Sequence, residues 1–422
     1  MTEASRDSVQ PPIAYVLLWF PLSSETFVFK EVRDLRELGL DIRVYTMYGK
    51  ALKGCSKVMR EYAGPVSRMG VRAAFSILRA FFRALAKRPA FVLRLARDAL
   101  FRKTRNLEAL AENTWCFFSG FLLAEKCRAD GIGLIHSAWA NGPATAAWVA
   151  SRLAGIPFAF TGRAGDIYPQ DGILKEKAAA ALFIRVNNAA NAEYLASFCP
   201  EKERDKVVLV YNGLTFGKTS DSSRKIPAPP YKILAVGRFA RTKGFPELFA
   251  AMARLRREAF PIELTLVGDG PWRRKLLDLR ERLGLESVIH IAGFVPNDQL
   301  ARYMASLDLL VVPSVIHVNG DRDGIPNVIM EALSLGMPVI ATDVCGIGEV
   351  IRDGETGFLT PQRDPAALAN AIRYALEHGE AALTMGKNGQ KLVAEMFDAE
   401  KNAKELKKLY LDALRDAKRK AV

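Results

Sequence analysis

The sequence predicts an α/β protein made of two doubly wound parallel-sheet domains of similar size, facing each other across a cleft. Three observations lead there. At 422 residues the chain is too long for one compact core and suits two ordinary domains. Short apolar runs alternate with helical segments throughout, the pattern of βα units feeding a parallel sheet. Near the middle, TFGKTSDSSRKIPAPP (Thr215–Pro230) carries three prolines and no apolar period, as a linker does.

The elements follow in order. IAYVLLWF, DIRVYTM, GLIHSAW, IPFAFTG, ALFIRVN and VVLVYNG read as the strands of a first domain over 1–214. After the linker at 215–230, YKILAVGR, IELTLVGDG, VIHIAGFV, LDLLVVPS and MPVIATD give a second domain over 231–398. Residues 399–422 form a long charged helix, expected to pack back toward the N-terminal domain. In such sheets ligands bind outside the carboxyl ends of the strands.

Composition narrows the function classes. Half the residues are apolar and a quarter charged, as in soluble globular proteins. The five cysteines show no CxxC pair and the four histidines no metal-ligand spacing. That argues against zinc, a disulfide framework or any protein-built metal site, and fits a reducing cytoplasm. The acidic N-terminus lacks the basic region of a signal peptide. IAYVLLWF is far shorter than the roughly 20 residues of a membrane span.

The net charge of +14 is concentrated: between Arg68 and Arg105 lie eleven Lys or Arg and one acid, Asp98. Ala74, Phe75, Leu78, Phe81, Phe82 and Leu85 recur there at helical spacing, Pro89 breaks the run, and Phe91, Val92, Leu95 and Ala99 continue it. Basic amphipathic helices rich in Phe and Leu suit the headgroup layer of a membrane. The alternative is that this apolar face packs on the core. No nucleic-acid-binding signature is present, so nucleic acid is not an expected partner.

The segment DGIPNVIMEA (Asp323–Ala332) carries the most chemistry. Gly324 and Pro326 shape a tight loop, and Asn327 is placed to cap the helix that follows. Asp323 and Glu331 lie eight positions apart; each carboxylate can accept from two vicinal hydroxyls. In VGRFARTKG, Gly237 and Arg238 end a strand and Lys243 and Gly244 open the next helix, an arrangement suited to a diphosphate. LVGDGP (Leu266–Pro271) and the turn Gly346–Glu349 are expected to shape loops nearby.

These segments, in this order, resemble the family 4 retaining glycosyltransferases of the GT-B fold. WFPLSSETFVFKEVRDL and IPFAFTGRAGDIYP resemble their bacterial exopolysaccharide branch, which includes colanic acid and amylovoran enzymes. The resemblance implies that Arg238 and Lys243 grip the donor diphosphate and steady the leaving group. It implies that Glu331 holds the nucleotide ribose, that Asp323 faces the donor sugar, and that Gly324, Ile325, Pro326 and Asn327 present backbone amides. Ser23, Ser24, Glu25 and Thr26 would form a loop near donor and acceptor. Two positions depart from the pattern. Asp323 stands where Glu is usual, shorter by roughly 1.5 Å of reach, so loop movement or another donor sugar must compensate. Arg163 stands where the branch has a histidine; it cannot act as a base, but it could clamp a phosphate or an acidic acceptor. Asp166 is expected to orient the acceptor or Arg163, and His136 to lie at the acceptor or to be an ordinary histidine of the core or a loop.

The activity implied is hexosyl transfer, without metal or cofactor, from a UDP- or GDP-sugar to a polyprenyl-diphosphate-linked saccharide. Exopolysaccharide, capsule or O-antigen assembly at the cytoplasmic membrane face is the setting, reached through segment 68–105. A weakly catalytic binding or scaffold subunit and a sugar-nucleotide epimerase or phosphorylase are the alternatives.

Overall fold

The computed structural model describes residues 10–23, 25–62, 64–102, 106–169, 173–214 and 224–421. Two compact units divide the chain. The first holds Met1–Asn187, Ala192–Gly213 and Ala399–Val422; the second holds Asn188–Asn191 and Leu214–Asp398. Residues 215–223 of the expected linker lie outside the described residues, whereas Arg224 donates to the carbonyls of Met304 and Leu307, at 2.7 and 2.6 Å.

The strands of the first unit are β1 (Ile13–Leu22), β2 (Ile42–Ala51), β3 (Val66–Arg68), β4 (Leu134–Ser137), β5 (Phe158–Gly162), β6 (Ile184–Val186) and β7 (Val207–Leu209). They form one sheet in the order β3-β2-β1-β4-β5-β6-β7, every pair parallel. Ile13 to Leu17 are buried on both faces, which is why β1 reads as an unbroken apolar run. Helix α1 (Thr26–Glu37) turns Val28, Val32 and Leu35 to the core.

Segment 68–105 folds into α2 (Ala74–Lys87) and α3 (Pro89–Leu100). The apolar series expected to form one face is split between two. Ile77 and Ala80 are buried, with Phe81, Ala84 and Leu85 packed on the same core. Phe75, Leu78 and Phe82 stand outward, 78, 48 and 60% exposed, beside the exposed Arg72, Arg79 and Arg83. Helix α4 (Leu107–Ala129) carries charges toward both ends and buries its middle, Cys116, Phe117 and Ser119 to Ala124, in the core. Helix α5 (Gly142–Ala154) follows β4. The C-terminal helix Ala399–Ala421 contributes Leu406, Tyr410, Ala413 and Leu414 to the first unit's core.

The second unit contains β8 (Tyr231–Val236), β9 (Ile262–Val267), β10 (Ile289–Gly293), β11 (Leu309–Val312), β12 (Val339–Thr342) and β13 (Phe358–Thr360). Their order is β10-β9-β8-β11-β12-β13, again all parallel. In each sheet the winding reverses once, between β1 and β4 and between β8 and β11. In doubly wound sheets generally, such a point opens a crevice beyond the carboxyl ends of the strands, where ligands bind. Among the described residues no helix is long and apolar enough to cross a membrane.

Candidate active site

At the switch point of the second unit the loops leaving β8 and β11 meet. Gly237 and Arg238 follow β8 directly. A side chain at Gly237 would press on the Lys243 stem, its Cβ 3.3 Å from Cδ, so the glycine leaves that stem its path. Lys243 ends a 3-10 turn (Arg241–Lys243), and Gly244 then adopts φ +61° before α6 (Phe245–Arg257). Any Cβ at Gly244 would lie 1.7 Å from the Pro313 carbonyl oxygen. Only glycine allows both that backbone and that approach, which brings the Lys243 turn against the end of β11.

Lys243 and Asp323 are brought together there: Nζ donates to Oδ1 at 2.8 Å. The other carboxylate oxygen accepts from Ser314 Oγ at 2.5 Å. Arg241 pairs with Asp321 at 3.1 Å beside them. Arg238 is exposed, and its side chain has no hydrogen bond or ion pair among the described residues. The cluster therefore presents one free guanidinium and one ammonium on a loop at a strand end.

The Gly324–Ile325–Pro326 loop leads into α7 (Asn327–Ser334). Asn327, expected as the cap, is instead the first helical residue. Pro326 occupies the cap position at φ −62°, and no side chain caps the helix. Proline's fixed φ already suits that position, so the helix start moves one residue forward. Glu331 lies in the next turn, partly buried. The turn at Gly346 opens a short helix, Ile347–Val350, whose Glu349 accepts from Ala189 N at 2.8 Å.

In the first unit, Arg163 follows β5 and precedes the short helix Ala164–Ile167. Asp166 spends its oxygens on backbone: Oδ1 accepts from Arg163 N at 2.7 Å and Oδ2 from Ala140 N at 2.6 Å. It thus fixes the Arg163 backbone to the loop after β4. Burial lifts its carboxyl to about 7 against those two amides. The Arg163 guanidinium is buried, with Nη1 on Asn212 Oδ1 at 3.0 Å and its carbon 4.5 and 5.2 Å from the Phe27 and Trp139 ring centroids. Among the described residues its Nε and Nη2 have no hydrogen-bond partner, and Glu31 is 3.9 Å from Nη2.

Glu31 is largely buried. It pairs with Arg185 and accepts from Tyr15. Burial pushes its carboxyl up, but Arg185 and then Arg163 outweigh this and hold it below the usual range. Glu25 stands at the N-terminus of α1, its carboxyl raised by burial against the Trp139 indole and Arg163. Ser24 lies outside the described residues.

Of the places expected for His136, the structure gives it the core rather than the acceptor or a loop. It sits in β4, fully buried, with Nε2 3.0 Å from Thr161 Oγ1 and aromatic neighbours Tyr15, Phe183 and Tyr410. The cause is β4's burial on both faces, which turns the ring into the core; burial also pushes it down to about 3. Sequence reasoning did not single out Ser314, Glu31, Arg185 or Asn212. Two of them carried a signal: Glu31 shares the apolar face of α1, and Arg185 interrupts the apolar strand ALFIRVN.

Among the described residues no group of three or more His, Cys, Asp or Glu is placed to hold a metal ion. A family profile described as "Glycosyl transferases group 1" matches residues 218–392. The chain is 26% identical over 389 residues to an Escherichia coli (strain K12) glycosyltransferase assigned to colanic acid biosynthesis, spanning 85% of this chain and 89% of that one. It is 30% identical over 295 residues to a Bacillus subtilis (strain 168) glycosyltransferase assigned to teichuronic acid biosynthesis, 66% of this chain and 70% of that one. Anabaena HepE, solved in complex with UDP, has the same fold, with a TM-score of 0.68 at 18% identity over 95% of this chain and 100% of that one. The ordered motifs, the two parallel sheets and these likenesses converge: the chain belongs to the group 1 glycosyltransferases and has the GT-B fold.

Proposed function

We propose that the protein transfers a hexose, with retention of configuration, from a nucleoside diphosphate sugar to a polyprenyl-diphosphate-linked saccharide during exopolysaccharide, capsule or O-antigen assembly. The observation that carries this is the pair of cations on the β8 loop, the free Arg238 and the Asp323-paired Lys243, at the switch point of the second sheet. A diphosphate is the ligand such a pair fits. The UDP held by HepE and the colanic acid assignment of the E. coli relative support the donor class and the pathway; UDP and GDP remain the two donor series.

In the reaction, the bond from the anomeric carbon to the phosphate oxygen breaks, and the acceptor hydroxyl attacks from the same face. The departing phosphate oxygen takes the hydroxyl proton. Arg238 and Lys243 would stabilise the charge gathering on the leaving diphosphate, with no metal or other cofactor. Gly324 to Asn327 would offer amides to the sugar, Glu331 would hold the ribose, and Arg163 and Glu25 would border the acceptor. The outward stripe of α2, Phe75, Leu78 and Phe82 beside Arg72, Arg79 and Arg83, supports docking on an anionic membrane surface on its cytoplasmic side.

A thermal-shift panel of nucleoside diphosphates and their sugars, followed by product analysis with lipid-linked acceptors, tests this. One nucleotide series should raise the melting temperature by mass action, and the same series should glycosylate an acceptor. Donor binding without transfer to any acceptor would favour a scaffold subunit, and a rearranged donor without acceptor would favour an epimerase.

A further inference from the structure

Ser314 takes no part in the assignments above, yet it occupies a controlled position. It is fully buried, two residues beyond β11 and at the switch point. Its carbonyl accepts from Thr342 Oγ1, at the end of β12. The next amide, Val315 N, donates to Thr242 O at 2.9 Å, next to Lys243. The Ser314 backbone is therefore held from both sides. Its hydroxyl reaches Asp323 Oδ2 at 2.5 Å while Lys243 Nζ takes Oδ1 at 2.8 Å.

We propose that Ser314 is a positioning residue for the transfer reaction, setting Lys243 through the Asp323 carboxylate. The inference rests on Lys243 facing the donor diphosphate, as proposed above. A carboxylate is planar, so fixing one oxygen on a rigid hydroxyl fixes the direction of the other. Lys243 has a flexible four-carbon stem and would otherwise sample many rotamers. The Ser314–Asp323 contact holds the ammonium in one place with further N–H donors to spare for phosphate. Preorganised donors of this kind cost no reorganisation as charge develops.

The same geometry accounts for the short acid at position 323. Ile316 N donates to Gln362 at 2.8 Å, and Arg241 holds Asp321, so the loop between Ser314 and Asp323 is pinned. Within that loop an aspartate spans the distance between Ser314 and Lys243. A glutamate, one methylene longer, would have to displace the hydroxyl or the ammonium. Asp323 thus serves first as the counter-ion that aims Lys243.

The test is steady-state transfer by the full-length chain and its Ser314→Ala, Ser314→Thr and Asp323→Glu variants, with melting temperature and calorimetric nucleoside diphosphate affinity measured alongside. Ser314→Ala should lower kcat about 10- to 100-fold with donor KM changed by less than about threefold, the mark of an interaction realised in the transition state. Ser314→Thr keeps the hydroxyl and should recover most of the rate; Asp323→Glu should be slower than wild type. Should Ser314→Ala not fold, the Thr and Glu variants still decide. Wild-type kcat in Ser314→Ala, equal losses in Ser314→Ala and Ser314→Thr, or an Asp323→Glu variant as fast as wild type overturns the role while leaving the transferase function intact. A wild-type chain that neither binds nor turns over any nucleotide sugar removes both.

Discussion

Glu31 on α1 and Arg185 on β6 form an ion pair inside the first unit, 154 positions apart in sequence, the arginine fully and the acid largely buried. Tyr15 and Arg163 complete the cluster around the carboxylate. Two arginines share this one acid, so removing it strands two buried cations. Glu31→Gln should cost about 3–5 kcal/mol of unfolding free energy, the range for breaking a buried pair. Denaturant titration of the variant against wild type measures it. Arg185→Met, which removes charge and keeps volume, should cost less.

Two buried groups in the first unit pull the pH dependence of stability in opposite directions. His136 is held down at about 3 from 6.5. Between those values the unfolded chain binds the extra proton, so its contribution is present above 6.5 and lost as pH falls. Asp166 is raised to about 7 from 3.8. Its contribution is present below 3.8 and lost as pH rises through 7. Across about pH 4 to 6.5 the two slopes offset, each worth at most about 1.4 kcal/mol per pH unit. His136→Gln should therefore make stability fall with rising pH relative to wild type, and Asp166→Asn should make it rise. Denaturation curves at pH 4.5 and 6.5 would show the opposed slopes.

Lys243→Ala should lower kcat at least about 100-fold and abolish the thermal shift given by the favoured nucleoside diphosphate. Arg238→Ala should weaken the same shift. Near-normal turnover in Lys243→Ala would end its assignment to the leaving group.

Changing Phe75, Leu78 and Phe82 together to serine should reduce binding to anionic phospholipid vesicles by about tenfold or more. Because these side chains are largely outside the core, the melting temperature should hold. Flotation with neutral and anionic vesicles reads the result. Undiminished binding would detach the membrane assignment from this stripe.

Both sheets were legible because parallel strands buried on both faces leave long apolar runs, as in IAYVLLWF. The two strands not read, β3 (VSR) and β13 (FLT), are edge strands with no longer apolar run around them, whereas the equally short β6 and β7 sit in ALFIRVN and VVLVYNG. The same two-sided burial hid the fate of His136, since a strand without in–out alternation does not say which side chains meet solvent. Lys243 and Asp323 could be picked out singly by type and spacing, but not as partners, because their meeting depends on the close pass of Gly244 by Pro313. Ser314 stood in the sequence only as part of the PS that precedes DGIPNVIMEAL, with nothing to mark its role: a serine after a proline at a strand end looks like any loop residue. On α2 the pattern gave the apolar residues but not their division, because a core-facing row and an outward row on one helix merge into a single broad stripe.

The chain finishes the first unit last. It leaves that unit after Gly213, and residues 399–421 return to supply Leu406, Tyr410 and Leu414 to its interior. At the junction, Leu214 pairs with Asp398 in a parallel bridge and its N–H donates to Phe397 O at 2.9 Å, so the two ends of the second unit lie side by side. In topological terms the second unit is an insert whose termini already meet. A protein cut at residue 398 would thus lose part of its first unit's interior, and a ribosome must release residues 399–414 before the earliest-made sheet can close that core.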